Sequence, residues 1–120
     1  MKPAIEGTEF GSIVIGGKTL EHDIVVRLDG KVKKRKKRLS SELYGTSHRV
    51  SRAEAEHIYD KGAEQLIIGA GQQGLVALSE EAADYFARKK CSVRLLPTPE
   101  AADAWNKAEG AVIAMFHVTC

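Results

Sequence analysis

Cysteine is scarce in this chain. Cys91 and Cys120 are the only two among 120 residues, which allows one bridge at most and excludes a disulfide-dense secreted scaffold. Long apolar runs are missing too: the longest, 111–116, has six residues, against the roughly 20 that a membrane-spanning helix needs. Lys2 is followed by Glu6 and Glu9 before any long apolar stretch, so no secretory signal can be read there. Asparagine and glutamine are rare (Asn106, Gln65, Gln72 and Gln73), a weak thermophile-like trait. What is present is ordinary for a soluble protein. Apolar residues make up 43% and charged residues 28%, which argues against disorder. The expectation is one cytoplasmic α/β domain spanning 1–120, with no membrane span. A chain of this length buries about two-thirds of its extended surface, enough to fold without a metal or cross-link.

The formal net charge of +2 hides a segregation. Lys31, Lys33, Lys34, Arg35, Lys36, Lys37 and Arg38 place seven positive charges in eight positions, leaving 11 basic against 16 acidic residues elsewhere. Such a strip fits contact with nucleic acid, an anionic membrane or an acidic protein. It equally fits a solvated edge strand whose lysines discourage pairing with other chains. No aromatic residue interrupts it, so the stacking platform of single-strand binders is missing.

The first forty residues read as β-structure: strands over 10–15 and 18–28 joined at Gly16-Gly17, then a third over 31–39 carrying the basic strip. Asp29-Gly30 reads as a two-residue hairpin turn with positive φ at both positions. After Ser40 the apolar period lengthens. Ser51 to Glu54 forms a capping box that opens a helix with Ala55, Ile58, Tyr59 and Gly62 on its inner face. A strand over 65–68, the glycine-rich turn 69–74 and an extended piece over 75–78 follow. Ser79 caps a second helix reaching about Lys90, with Ala82 and Phe86 inward. A strand over 92–96 leads to a third helix opened by Thr98-Pro99, lined by Ala101, Trp105 and Ala108 and ended by Gly110. The segment 111–118 is apolar on both faces and predicts a central strand covered on both sides.

Two motifs fail on context. The turn 69–74 matches a dinucleotide fingerprint letter for letter, but no helix opens there and no acid ends the strand over 92–96. Gly17-Lys18-Thr19 resembles the end of a phosphate-binding loop, yet Ser12 stands where its first glycine is required. Of the four histidines, His57 and His117 read as structural, whereas His48 lies in a polar loop. His117 and Cys120 form a solitary pair without further ligands at a familiar metal spacing. Three readings stay open for Cys91 and Cys120: buried thiols, a single bridge, or a reactive thiol at Cys120. No catalytic set, metal set or cofactor is expected.

The stretches 9–13 (EFGSI), 67–71 (IIGAG), 95–101 (LLPTPEA) and 116–120 (FHVTC) resemble the Mth-type domain family, in order and over nearly the whole chain. That family is named after a methanogen protein of unknown function. It includes the adipogenesis-associated Mth domain-containing protein and a mitochondrial complex I assembly factor. The resemblance implies a three-layer α/β fold with a central mixed sheet, flanking helices and an additional β-hairpin layer. It also implies an antiparallel final strand, which would bring Cys91 and Cys120 to one end of the sheet as a candidate disulfide. No family reaction carries over, and Ala70 replaces a threonine in the usual Gly-Thr-Gly.

The resulting expectation is a non-enzymatic interaction or assembly module, with a protein partner or self-association through the sheet edge or basic hairpin. The alternative is a small-molecule binder or enzyme with its site beyond the carboxyl ends of the strands. Tyr44, Ser47, His48, Gly69, Gly71, Gln72 and Thr98 are the candidate ligand-binding residues there. The third reading is nucleic-acid binding through the basic strip.

Overall fold

The computed structural model describes residues 2–120. Strands β1 (Ile5–Glu9) and β2 (Ser12–Ile15) form an antiparallel hairpin, and β3 (Lys18–Leu20) pairs beyond β2 after the Gly16-Gly17 turn. The chain then enters a second sheet through β4 (Ile24–Val26) and β5 (Val32–Lys34). Helix α1 (Arg38–Tyr44), β6 (Arg49–Val50) and α2 (Arg52–Ile58) lead to β7 (Gln65–Ala70). After β8 (Ala77–Leu78) come α3 (Glu80–Arg88), β9 (Ser92–Leu96), α4 (Thr98–Lys107) and β10 (Val112–His117).

The main sheet has the order β5-β4-β10-β7-β9, beside the three-stranded β1-β2-β3 and the two-stranded β6-β8. Side-chain alternation divides its apolar residues between two cores. Val25, Leu66, Ile68, Ile113 and Met115 face α2 and α3, packing on Ala55, Ile58, Ala82 and Phe86. Ile24, Val26, Ile67, Ala114 and Phe116 face the other way, onto Ile13, Ile15, Ala101 and Trp105 of the outer hairpin and α4. Three layers result, with β10 central and all six of its residues buried.

Several expectations change. The single strand over 18–28 breaks between β3 and β4 because Val25 and its neighbours need apolar cover on both faces, which only the main sheet provides. The strand over 31–39 shrinks to β5, since only Val32 there packs on a core; Arg35 turns inward and the chain coils into α1. The turn at Asp29-Gly30 lies where expected but closes three residues. Arg27 N donates to Lys31 O, Gly30 N donates to Arg27 O, and only Gly30 has positive φ. Helices α2 and α4 stop at Ile58 and Lys107, short of Gly62 and Gly110.

The final strand β10 is antiparallel to β4, as the resemblance implied, but parallel to β7 on its other side. Since β9 is also parallel to β7, Cys91 before β9 and Cys120 after β10 lie at opposite ends of the sheet. The expected disulfide is therefore corrected: both thiols are free.

Candidate functional site

Parallel β7 and β10 end together, and antiparallel β4 begins beside them. The register that pairs Phe116 with Ile24 puts Asp23 opposite His117. Asp23 Oδ2 accepts from His117 Nδ1 at 2.7 Å and from Arg35 NH1 at 2.9 Å, while Oδ1 accepts from Val118 N at 2.9 Å. Burial pushes the Asp23 carboxyl up, but the His117 hydrogen bond, the Val118 amide and the charges of His117 and Arg35 outweigh it, bringing it to about 2.

Arg35 is the hub behind this carboxylate, with no side-chain exposure. Its Nε donates to Glu54 Oε2 at 2.5 Å and its NH2 to Glu54 Oε1 at 3.0 Å and Ser47 O at 2.7 Å. Burial opposes its charge, yet the hydrogen bonds and charges of Glu54 and Asp23 prevail and raise the guanidinium above its ordinary value. This network remakes the capping box. Ser51 Oγ accepts from Glu54 N as expected, but Ser51 N donates to Ser40 Oγ, and Ser40 Oγ donates to the Glu54 carboxylate. Glu54 is thereby released from the cap to hold Arg35.

The Arg35–Ser47 bond fixes one side of the His48 loop, and Ala77 N, donating to His48 O at 2.8 Å beside the β6-β8 ladder, fixes the other. His48 Nε2 then lies 3.3 Å from Cys120 Sγ, and the His48 ring meets His117 edge to face at 5.3 Å. Thr119 Oγ1 is 3.0 Å from His117 Nε2. Donor atoms of His48, His117 and Cys120 all lie within 4.8 Å of one another; His117 is buried and the other two are half-exposed. Such an arrangement can take up a thiol proton on imidazole or gather nitrogen and sulfur donors on a ligand.

The glycine turn seats this cluster. Gly71, at φ +97, has no room for a Cβ, which would strike the Cys120 carbonyl and lie 2.9 Å from His117 Cδ2. Gln72 N donates to Thr119 O at 2.7 Å and Leu75 N to Cys120 O at 3.3 Å. Thr98 Oγ1 accepts from Gly71 N and donates to His117 O at 2.6 Å, tying the turn to the end of β10.

Of the expected ligand-binding residues, His48, Gly71, Gln72 and Thr98 converge on the segment 117–120. Thr98 is spent on backbone partners, and Gly69 makes room for Phe116, whose Cδ1 would lie 2.6 Å from a Cβ. Ser47 takes part through its carbonyl, while the Tyr44 ring carries the Arg49 guanidinium at 4.5 Å. Gln72 Nε2 is buried without a hydrogen-bond partner among the described residues. Sequence spacing missed Asp23 and the pairing of His117 and Cys120 with His48, since the two histidines stand 69 positions apart. Arg35 also leaves the expected anionic-partner strip, whereas Lys31, Lys33, Lys34, Lys36, Lys37 and Arg38 are exposed. A groove of about 350 Å³ lies elsewhere, along β9 and α4, lined by Gln65, Arg94, Leu96, Glu100, Asp103 and Lys107 among others, with no histidine or cysteine in its lining.

Known proteins share this arrangement of elements. Residues 5–117 match a family model described as "Protein of unknown function (DUF498/DUF598)". The chain is similar to conserved hypothetical protein PH1505 from Pyrococcus horikoshii OT3, at 32% identity and TM-score 0.89 over 100% of both chains. It is similar to a solved structure named MT938, at 34% identity and TM-score 0.82, covering 99% of this chain and 100% of that one. The fold recurs in a Bordetella pertussis protein described as a Mth938-like domain, at 15% identity and TM-score 0.69, covering 97% of this chain and 85% of that one. With matches this long, two of them above 30% identity, the chain belongs to the DUF498/DUF598 family of unknown function and has the Mth938-like fold.

Proposed function

We propose that this protein binds a small ligand at the carboxyl ends of β7 and β10, between the His48 loop, the 69–74 turn and the segment 117–120. The observation that carries the reading is the gathering of His48, His117 and Cys120 from three separate parts of the chain at a half-open position. A buried ionic network that holds His117 directly and the His48 loop through the Ser47 carbonyl supports it, because ordering such groups costs more than a plain apolar end of the sheet. Native mass spectrometry of protein purified gently from its host tests the reading. An adduct that survives purification, persists in His57→Ala and disappears in His48→Ala is expected. A bare chain mass, or an adduct indifferent to His48, contradicts it.

A second reading, an interaction module, has its own supporting observation. Strand β5 is an open edge of the main sheet, and Lys33, Lys34, Lys36 and Lys37 make no ion pair among the described residues. An acidic protein surface fits that edge. Changing Lys34, Lys36 and Lys37 to glutamate should abolish capture of an acidic partner from lysate. Unchanged capture, or capture of nucleic acid alone, counts against it.

A further inference from the structure

We propose that His48 Nε2, His117 Nε2 and Cys120 Sγ form a binding site for a borderline-soft divalent transition-metal cation of the Zn²⁺ class, with Asp23 as its outer carboxylate. The inference rests on the ligand-binding reading above and names the ligand. Two imidazoles and a thiolate are nitrogen and sulfur donors, which suit zinc-like cations and not the oxygen-seeking Mg²⁺ or Ca²⁺.

Distances favour it. Bonds of about 2.0 Å to nitrogen and 2.3 Å to sulfur put tetrahedral donors roughly 3.3–3.6 Å apart. The His48–Cys120 pair is already at 3.3 Å, and one donor atom from each of the three residues lies within 4.8 Å of the others, so closing the set takes up to about 1.5 Å of side-chain adjustment. The Thr119 hydroxyl, 3.0 Å from His117 Nε2, rotates away as the cation enters.

Orientation favours it as well. Metal-bound histidines commonly give their second ring nitrogen to a carboxylate, which fixes the tautomer and makes the ligating nitrogen more basic. His117 Nδ1 is held by Asp23 at 2.7 Å, which leaves Nε2 as its ligating atom. His48 is placed through the Arg35–Ser47 bond, and Cys120 through Leu75 N. Three protein ligands and a half-open position leave a fourth place for water or an exogenous ligand, the pattern of reactive zinc sites.

Cobalt titration of the chelator-treated protein tests the proposal. Expected are a thiolate-to-cobalt charge-transfer band and intense tetrahedral ligand-field bands saturating at one Co²⁺ per chain, both displaced by Zn²⁺. Cys120→Ser should remove the charge-transfer band, and His48→Ala should weaken binding at least tenfold. His57→Ala and Cys91→Ser should behave as wild type. Asp23→Asn, a positioning change, should weaken affinity 10- to 100-fold while the cobalt spectrum keeps its shape. Should that variant unfold, His48→Ala and Cys120→Ser, both at half-exposed positions, decide the matter. No tetrahedral spectrum, or an undiminished charge-transfer band in Cys120→Ser, overturns the metal. If the host-purified adduct that depends on His48 is still present, the ligand-binding reading survives with another ligand; without it, both fall.

Discussion

Arg35 carries the most consequential placement of any single residue. Its sequence neighbourhood reads as solvated charge, yet its guanidinium joins two carboxylates inside the protein. Replacing it with leucine strands Asp23 and Glu54 without a counter-charge, so urea unfolding should show a loss of about 3–5 kcal/mol. Replacing Lys36 should change stability far less. Asp23 sets the acid limit. Its folded value of about 2 lies below the ordinary 3.8, so its contribution is complete above about pH 4 and is lost as pH falls through 2. Melting temperatures taken from pH 6 to pH 2 should fall in that window, and the Asp23→Asn protein should lack this part of the slope. The thiols differ as sharply. Burial raises the Cys91 thiol above its ordinary value, whereas Cys120 is half-exposed beside His48. Iodoacetamide should therefore alkylate one thiol per native chain, at Cys120, by peptide mass analysis. Equal labelling of both would contradict the burial of Cys91.

Among the elements, the turn 69–74 has the clearest assignment: it is the seat of the segment 117–120, with no helix opening behind it. Gly71→Ala adds a Cβ where Cys120 already lies, at a φ that side chains resist, and should cost roughly 1–3 kcal/mol while loosening the His48–Cys120 pair. Gly7→Ala, which meets nothing within 4 Å, is the matched control. Such local signals were legible wherever neighbours in sequence decide the outcome. Ser79 caps α3 through Ala82 N, Pro99 opens α4, and the double-faced apolar pattern of β10 gives a central strand. What was hidden depends on distant partners. Strand β1 has only Ile5 buried, so its pattern is weak until β2 pairs with it. Helix α1 lacks a side-chain cap and exposes Leu43, and it is held by Ser40 reaching Glu54 and Ser51 instead. The candidate site divides the same way. His48 stood out as a loop histidine, but Asp23 became visible only when antiparallel pairing set β4 beside β10.

For the molecule as a whole, the two cores leave the chemistry to one end of the sheet. Trp105, Phe86 and Phe116 fill the layers, and the charged network is confined to where β4 begins and β7 and β10 finish. A ligand bound there ties together the first half of the chain, through His48, and its last strand. Binding should therefore stabilise the whole fold: Zn²⁺ at about 100 times its dissociation constant adds roughly 2.7 kcal/mol, seen as a higher melting temperature for the wild type and none for Cys120→Ser. The central claim is that His48 and His117 turn their ring nitrogens toward one shared ligand position. Long-range proton–nitrogen spectra of the imidazoles, recorded before and after adding one equivalent of Zn²⁺, examine that claim directly. His117 should stay protonated on Nδ1 throughout, with the Nε2 signals of His48 and His117 shifting together and those of His22 and His57 staying in place. Unmoved Nε2 signals, or a His117 proton residing on Nε2, would contradict it.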